Sequence, residues 1–144
     1  MDKTLPDKWI RKAIYDAFND TVVDGKTIKV FDSHVPNPDG NNDAYVLMTV
    51  QSNDLEHNKC EDFWSSDITL AVTTWYQGTG NPGSRLLGDN ILDALRDAIK
   101  DPLDLSGGGL TVLKQVMNFP RDLTSDMPNG TLFRKFLRLE MRIK

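Results

Sequence analysis

Gly78-Thr79-Gly80-Asn81-Pro82-Gly83 spells G-x-G-x-x-G between a predicted strand and a predicted helix. In that setting the backbone amides at a helix start can cradle a pyrophosphate. Three features weigh against it. The preceding strand is half-polar, whereas a central parallel strand is apolar on both faces. Pro82 removes one of the amides such a site would use. The next strand, Leu110 to Asn118, runs into Phe119-Pro120 instead of ending on an acid that could hold a ribose. The segment reads as a flexible strand-to-helix loop, with a small nucleotide-binding enzyme using residues 78–83 as the rival.

His57-Asn58-Lys59-Cys60, flanked by Glu56 and Glu61, offers two potential metal ligands. The only other histidine, His34, lies in a different loop, so a second ligand pair is missing and a polar loop tip is the simpler reading. Carboxylate pairs such as Asp89 with Asp93, or Asp122 with Asp126, have the spacing of solvated helix faces and loops. No serine elbow, HExxH, P-loop lysine or EF-hand loop is present. We therefore expect no catalytic residue, no cofactor and no metal. Trp64 and Trp75 flank a predicted strand; core or sheet-edge packing is the default for both, and an interface anchor is the sharper alternative.

The elements that would position these groups follow from periodicity. Residues 5–19 read as an amphipathic helix, with Trp9, Ile10, Ala13, Ile14, Ala17 and Phe18 on one side. Thr4 with Asp7 forms a plausible N-cap pair, and Pro6 suits the first turn. Asp24-Gly25 is a turn, and Thr27 to Phe31 a short strand. His34 to Asp43 is a loop, Ala44 to Ser52 a strand, Asn53 to Ser66 polar and irregular, and Asp67 to Tyr76 a strand of strict alternation. A second helix spans roughly 84–100, Gly107 to Gly109 make a flexible connection, and Leu110 to Asn118 form another strand. Residues 119–128 read as a long loop with two prolines.

The final segment, Thr131 to Ile143, carries Phe133, Leu137, Leu139, Met141 and Ile143 on one face, interrupted by Lys135. The other face carries Arg134, Phe136, Arg138, Glu140 and Arg142. Such a strand spans about 40 Å at ~3.3 Å per residue, which calls for support beyond a small domain. The order α-β-β-β-α-β-β predicts an α+β fold: a mainly antiparallel sheet of four to five strands with two helices packed on one face.

At 144 residues and 16.2 kDa the chain is expected to be a single domain, 1–144, with a projecting arm around 53–66 and a long loop at 119–130. Lys and Arg number 17 against 21 Asp and Glu, a net −4, which argues against a nucleic-acid binder working by bulk charge. One cysteine, no apolar leader and no long apolar run predict a soluble intracellular domain with no membrane association.

The chain from residue 5 to 144 resembles the tail-completion, or tail-terminator, family of tailed bacteriophages. The resemblance rests on the opening helix Trp9-Ile10-Arg11-Lys12-Ala13-Ile14-Tyr15 and the loop ending in Asp43-Ala44-Tyr45-Val46-Leu47-Met48. It extends to the polar arm before Asp67-Ile68-Thr69-Leu70-Ala71-Val72 with its exit at Trp75, the helix Ile91-Leu92-Asp93-Ala94-Leu95 after a Gly-rich loop, and the long charged final strand. The proline-bearing 119–128 segment and the Gly107–Gly109 run depart from the family pattern. The resemblance implies a non-catalytic virion protein at the head–tail junction, assembled in the bacterial cytoplasm as a ring, commonly a hexamer. It would contact the tail tube protein and head connector proteins, with DNA only as passing cargo; a head-side connector or stopper is the alternative. Ring contacts need two different complementary patches. The acidic arm, with Glu56, Glu61, Asp62 and Trp64, and the strand face of Arg134, Phe136, Arg138 and Arg142 are the candidates.

Overall fold

Ile10, Ile14 and Phe18 fall on one side of a 3.6-residue period, and helix α1 (Asp7–Phe18) buries all three completely. The computed structural model that shows this describes residues 5–32, 44–57, 61–76, 83–120, 122–127 and 130–144. Pro6, not Thr4, stands at the N-cap, without a side-chain cap bond, and Asp7 places an acid in the first turn. Thr4 lies outside the described residues.

Strands β1 (Thr21–Val23) and β2 (Lys26–Asp32) form a hairpin around Asp24-Gly25. Both turn residues have positive φ, 51° and 80°, as a two-residue turn matched to strand twist requires. Strand β3 (Ala44–His57) runs parallel to β2 and antiparallel to β4 (Asp62–Tyr76). Helix α2 (Gly83–Ile99) and a short 3-10 turn (Ser106–Gly108) lead to β5 (Val112–Asn118), β6 (Leu123–Met127) and β7 (Gly130–Ile143). The sheet order is β1-β2-β3-β4-β7-β5, and β6 also pairs with β7.

The expected sheet of four to five mainly antiparallel strands with two helices on one face is corrected by this topology. The chain builds one mixed, seven-stranded sheet curled into a half-barrel. Three causes account for the difference. β1 and β6 are too short to show alternation, so their residues read as turn and loop. The β2–β3 pairing is parallel, a relation that hydrophobic periodicity does not encode. Irregularities between Met48 and Gln51, and between Val112 and Lys114, interrupt the register, and such insertions bend a strand.

Residues 53–66 are also more regular than their polarity predicts. β3 and β4 continue through the arm as a ladder from Asn53 opposite Ser66 to His57 opposite Asp62. Asn53 donates from Nδ2 to the Asp7 carboxylate, and Gln51 donates to the Asp7 carbonyl, tying the base of the arm to the start of α1. Within the 119–128 segment, Leu123–Met127 pair with β7.

The core lies between the inner sheet face and the two helices. Ile91, Leu95 and Ile99 of α2 meet Ile68, Leu70 and Val72 of β4 and Leu137, Leu139 and Met141 of β7. The long strand β7 is paired along its length by β4, and its other edge is shared by β6 at the start and β5 at the end. Its length is thus supported inside the chain. The Gly107–Gly109 run is no loose tether either. The Trp9 indole lies across Gly107 and Gly108, and Gly109 turns the chain at φ 70°.

Candidate assembly surface

Leu137, Leu139, Met141 and Ile143 face the helices, so the two-residue period of β7 turns Arg134, Phe136, Arg138, Glu140 and Arg142 outward. β4 supplies the next row of that outer face, with Thr73, Ala71, Thr69, Asp67 and Ser65 directly opposite those five residues in turn. The candidate strand face is therefore a real grouping of side chains.

Its charges are largely engaged within the chain. Arg138 reaches Asp67 at 2.7 Å and Glu140 at 3.5 Å, and the Asp67 bond followed by its charge holds the guanidinium pKa above its usual range. Asn118 of β5 donates to the other Glu140 oxygen at 3.0 Å. Arg142 lies 4.6 Å from the Phe63 ring centre, a cation over an aromatic face. An open groove of about 300 Å³ crosses this face, lined by Ser52, Asp54, Ser65, Asp67, Lys114 and Arg142 among others.

The acidic arm divides between two faces. Glu56 is exposed on the outer face opposite Phe63. Glu61 pairs with Lys144, and Asp62 takes His57 Nδ1 at 2.5 Å. Trp64 points the other way and is 8% exposed inside the core cluster, with its Nε1 lacking a hydrogen-bond partner among the described residues. The structure therefore puts Arg134, Phe136, Arg138, Arg142 and Glu56 on one sheet face, with Glu56 and Arg134 at opposite ends of it, and turns Trp64 to the other face. Much of the complementarity between acidic arm and basic strand is already satisfied inside one chain.

Two features escaped sequence reasoning. Lys135, read as an interruption of the apolar face, bonds Asp89 of α2 at 2.6 Å and Asp122 at 2.9 Å. Those two bonds, the Asp89 one first, raise its amine pKa. Lys114 sits directly across from Arg142 on the outer face, a juxtaposition that depends on the register of β5. Residues 77–82, His34, Asn58, Lys59 and Cys60 lie outside the described residues, as does the side chain of Trp75. Among the described residues no group of three or more His, Cys, Asp or Glu is placed to hold a metal, and no helix is long and apolar enough to cross a membrane.

No protein-family model matches the chain, and no curated protein matches it. Among solved structures, a chain of the "Virion of native gene transfer agent (GTA) particle" shares the fold. It superposes with a TM-score of 0.64 at 19% identity, over 93% of this chain and 93% of that one. The half-barrel with two helices is thus a fold that this virion particle also contains.

Proposed function

We propose that this chain is a non-catalytic structural protein of a phage-like virion. In this reading it forms a ring at the head–tail junction, ends the tail tube and joins it to the head connector. The observation that carries the proposal is the fold shared, nearly end to end, with a chain of the gene transfer agent virion. The outer sheet face, with charged and aromatic side chains on rigid strands, supplies the kind of surface on which copies can associate. A connector or stopper on the head side of the neck draws on the same observation, since the matched title names the whole particle.

Native mass spectrometry and negative-stain microscopy of the purified chain, over a wide concentration range, test the proposal. A closed oligomer of one subunit number, hexameric for a tail terminator, is the expected result. A chain that stays monomeric throughout, and does not join tail tubes or connectors when mixed with them, refutes the ring.

A further inference from the structure

The inference concerns which two patches meet if the ring proposed above exists, and so rests on that reading. Residues 111–144 carry seven Lys and Arg against three acids, a net +4 in a chain of net −4, which leaves −8 for residues 1–110. Opposite charge at the two ends of one chain favours head-to-tail association of copies.

The fold cancels part of that asymmetry internally, pairing Lys135 with Asp89, Arg138 with Asp67 and Lys144 with Glu61, and only what is left over can act between copies. At the β5 edge, Lys114 and Arg142 are direct cross-strand neighbours on the outer face, both exposed, and neither has an acidic partner among the described residues. Like charges facing each other across a ladder are destabilising. On α2, Asp93 and Asp97 repeat at four residues and face solvent, with Asp101 just beyond the helix. Like charges at that spacing also repel. Asp93 has no ionic partner among the described residues, and Asp97 has only Arg96 at 3.8 Å. α2 packs on the inner face of the sheet and Lys114 and Arg142 stand on the outer one, so a single chain cannot bring them together.

We infer that the β5–β7 edge of one copy, through Lys114 and Arg142, docks on the exposed Asp93–Asp97 face of α2 in the next copy. Each patch then meets side chains of the opposite sign. The contact uses two different surfaces, so it propagates around a ring instead of stopping at a dimer. Val116, 39% exposed on the same outer face, adds apolar surface beside Lys114.

Two paired reversals test the contact: Lys114→Glu with Arg142→Glu, and Asp93→Lys with Asp97→Lys. All four side chains are exposed, and thermal melts verify that each variant folds. Either reversal alone should raise the concentration for assembly at least about tenfold, because like charges then meet at every contact. Mixed one to one, the two variants should reassemble into closed particles holding equal numbers of each, identified by mass. Variants that assemble separately as well as the wild type overturn this contact and leave the ring standing. So does a mixture that fails to assemble although both variants fold. A wild-type chain that never assembles removes the ring and the contact together.

Discussion

Gly108→Ala is the substitution whose cost the structure sets most directly. A methyl group built at position 108 would lie 2.5 Å from Trp9 Cδ1 and 2.7 Å from Cε2, and closer still to Nε1. Carbon atoms rest at about 3.5–4.0 Å, so roughly 1 Å of overlap has to be removed. The opposing atoms belong to a rigid ring, so either the indole leaves its seat or the 3-10 turn backs away. Overpacking of this kind costs about 1–3 kcal/mol. Restricting the unfolded chain with alanine offsets some 0.4–1 kcal/mol of it. The net loss is about 1–2 kcal/mol, a fall in Tm of roughly 3–8 °C for a chain of this length.

A double-mutant cycle with Trp9→Leu isolates the cause. In that background the ring is gone, and Gly108→Ala should cost less than about 0.5 kcal/mol, leaving a coupling near 1 kcal/mol. Gly109→Ala serves as a different control. It meets no atom within 4 Å but holds φ at 70°, so its cost of about 1 kcal/mol should be the same with or without Trp9. Calorimetric melts of the six proteins decide the matter. A Gly108→Ala protein that melts with the wild type, or that loses as much without Trp9, refutes the steric account.

Lys135→Met should destabilise by about 1 kcal/mol at neutral pH, discounted because Asp89 and Asp122 are half-exposed. Since the folded-state amine pKa is raised, that stabilisation is complete below the unfolded value of about 10.4 and fades as pH climbs through the folded one. Wild-type and variant melting curves should therefore converge only in strong alkali; convergence on acidification to pH 7 contradicts the assignment. Gln115→Leu removes a donor to the Ile99 and Asp101 carbonyls at 2.7 and 2.9 Å and an acceptor for the Leu103 amide at 3.0 Å. It should cost about 1–3 kcal/mol and speed amide exchange at Leu103, and an unchanged exchange rate there counts against the role. Trp64→Ala should cost about 3–5 kcal/mol in the monomer, as a core truncation does. A loss below 1 kcal/mol with assembly abolished would restore Trp64 as an interface anchor.

Ile10 and Ile14, or Ile91 and Leu95, show how much was legible. Each pair sits four residues apart with a charged residue midway, Lys12 or Asp93, which a strand would put on the same face as the pair and a helix turns away from it. The alternation of Ile68, Leu70 and Val72, or of Leu137, Leu139 and Met141, gave the two faces of β4 and β7 in the same way. The arm read as irregular because both of its faces meet water near the tip, which erases the contrast that alternation depends on. Parallel pairing of β2 with β3, and the opposition of Lys114 to Arg142, are properties of register between distant segments. No local pattern holds them. Of the candidate surface, the outward row of β7 was readable and its partners were not: Asp67 lies 71 positions from Arg138.

The length of β7 needs no neighbouring copy, since β4 at 15 residues and β3 at 14 match it within the chain. Association has to be argued from what the fold leaves over. A ring makes a further demand, because unlike patches close into one subunit number only when the rotation from copy to copy is fixed. In the contact inferred above, that rotation is the angle between α2 and the β5 edge within a subunit. Gln115 bears on that angle. It stands in β5 itself and hydrogen-bonds to Ile99, Asp101 and Leu103 around the end of α2, which ties the helix end to the edge strand. If the proposed ring forms, this one amide side chain with three hydrogen bonds bears on how many copies close it. Loosening it by Gln115→Leu should broaden the distribution of subunit numbers before assembly is lost, and a ring of undiminished uniformity would show that the angle is set elsewhere.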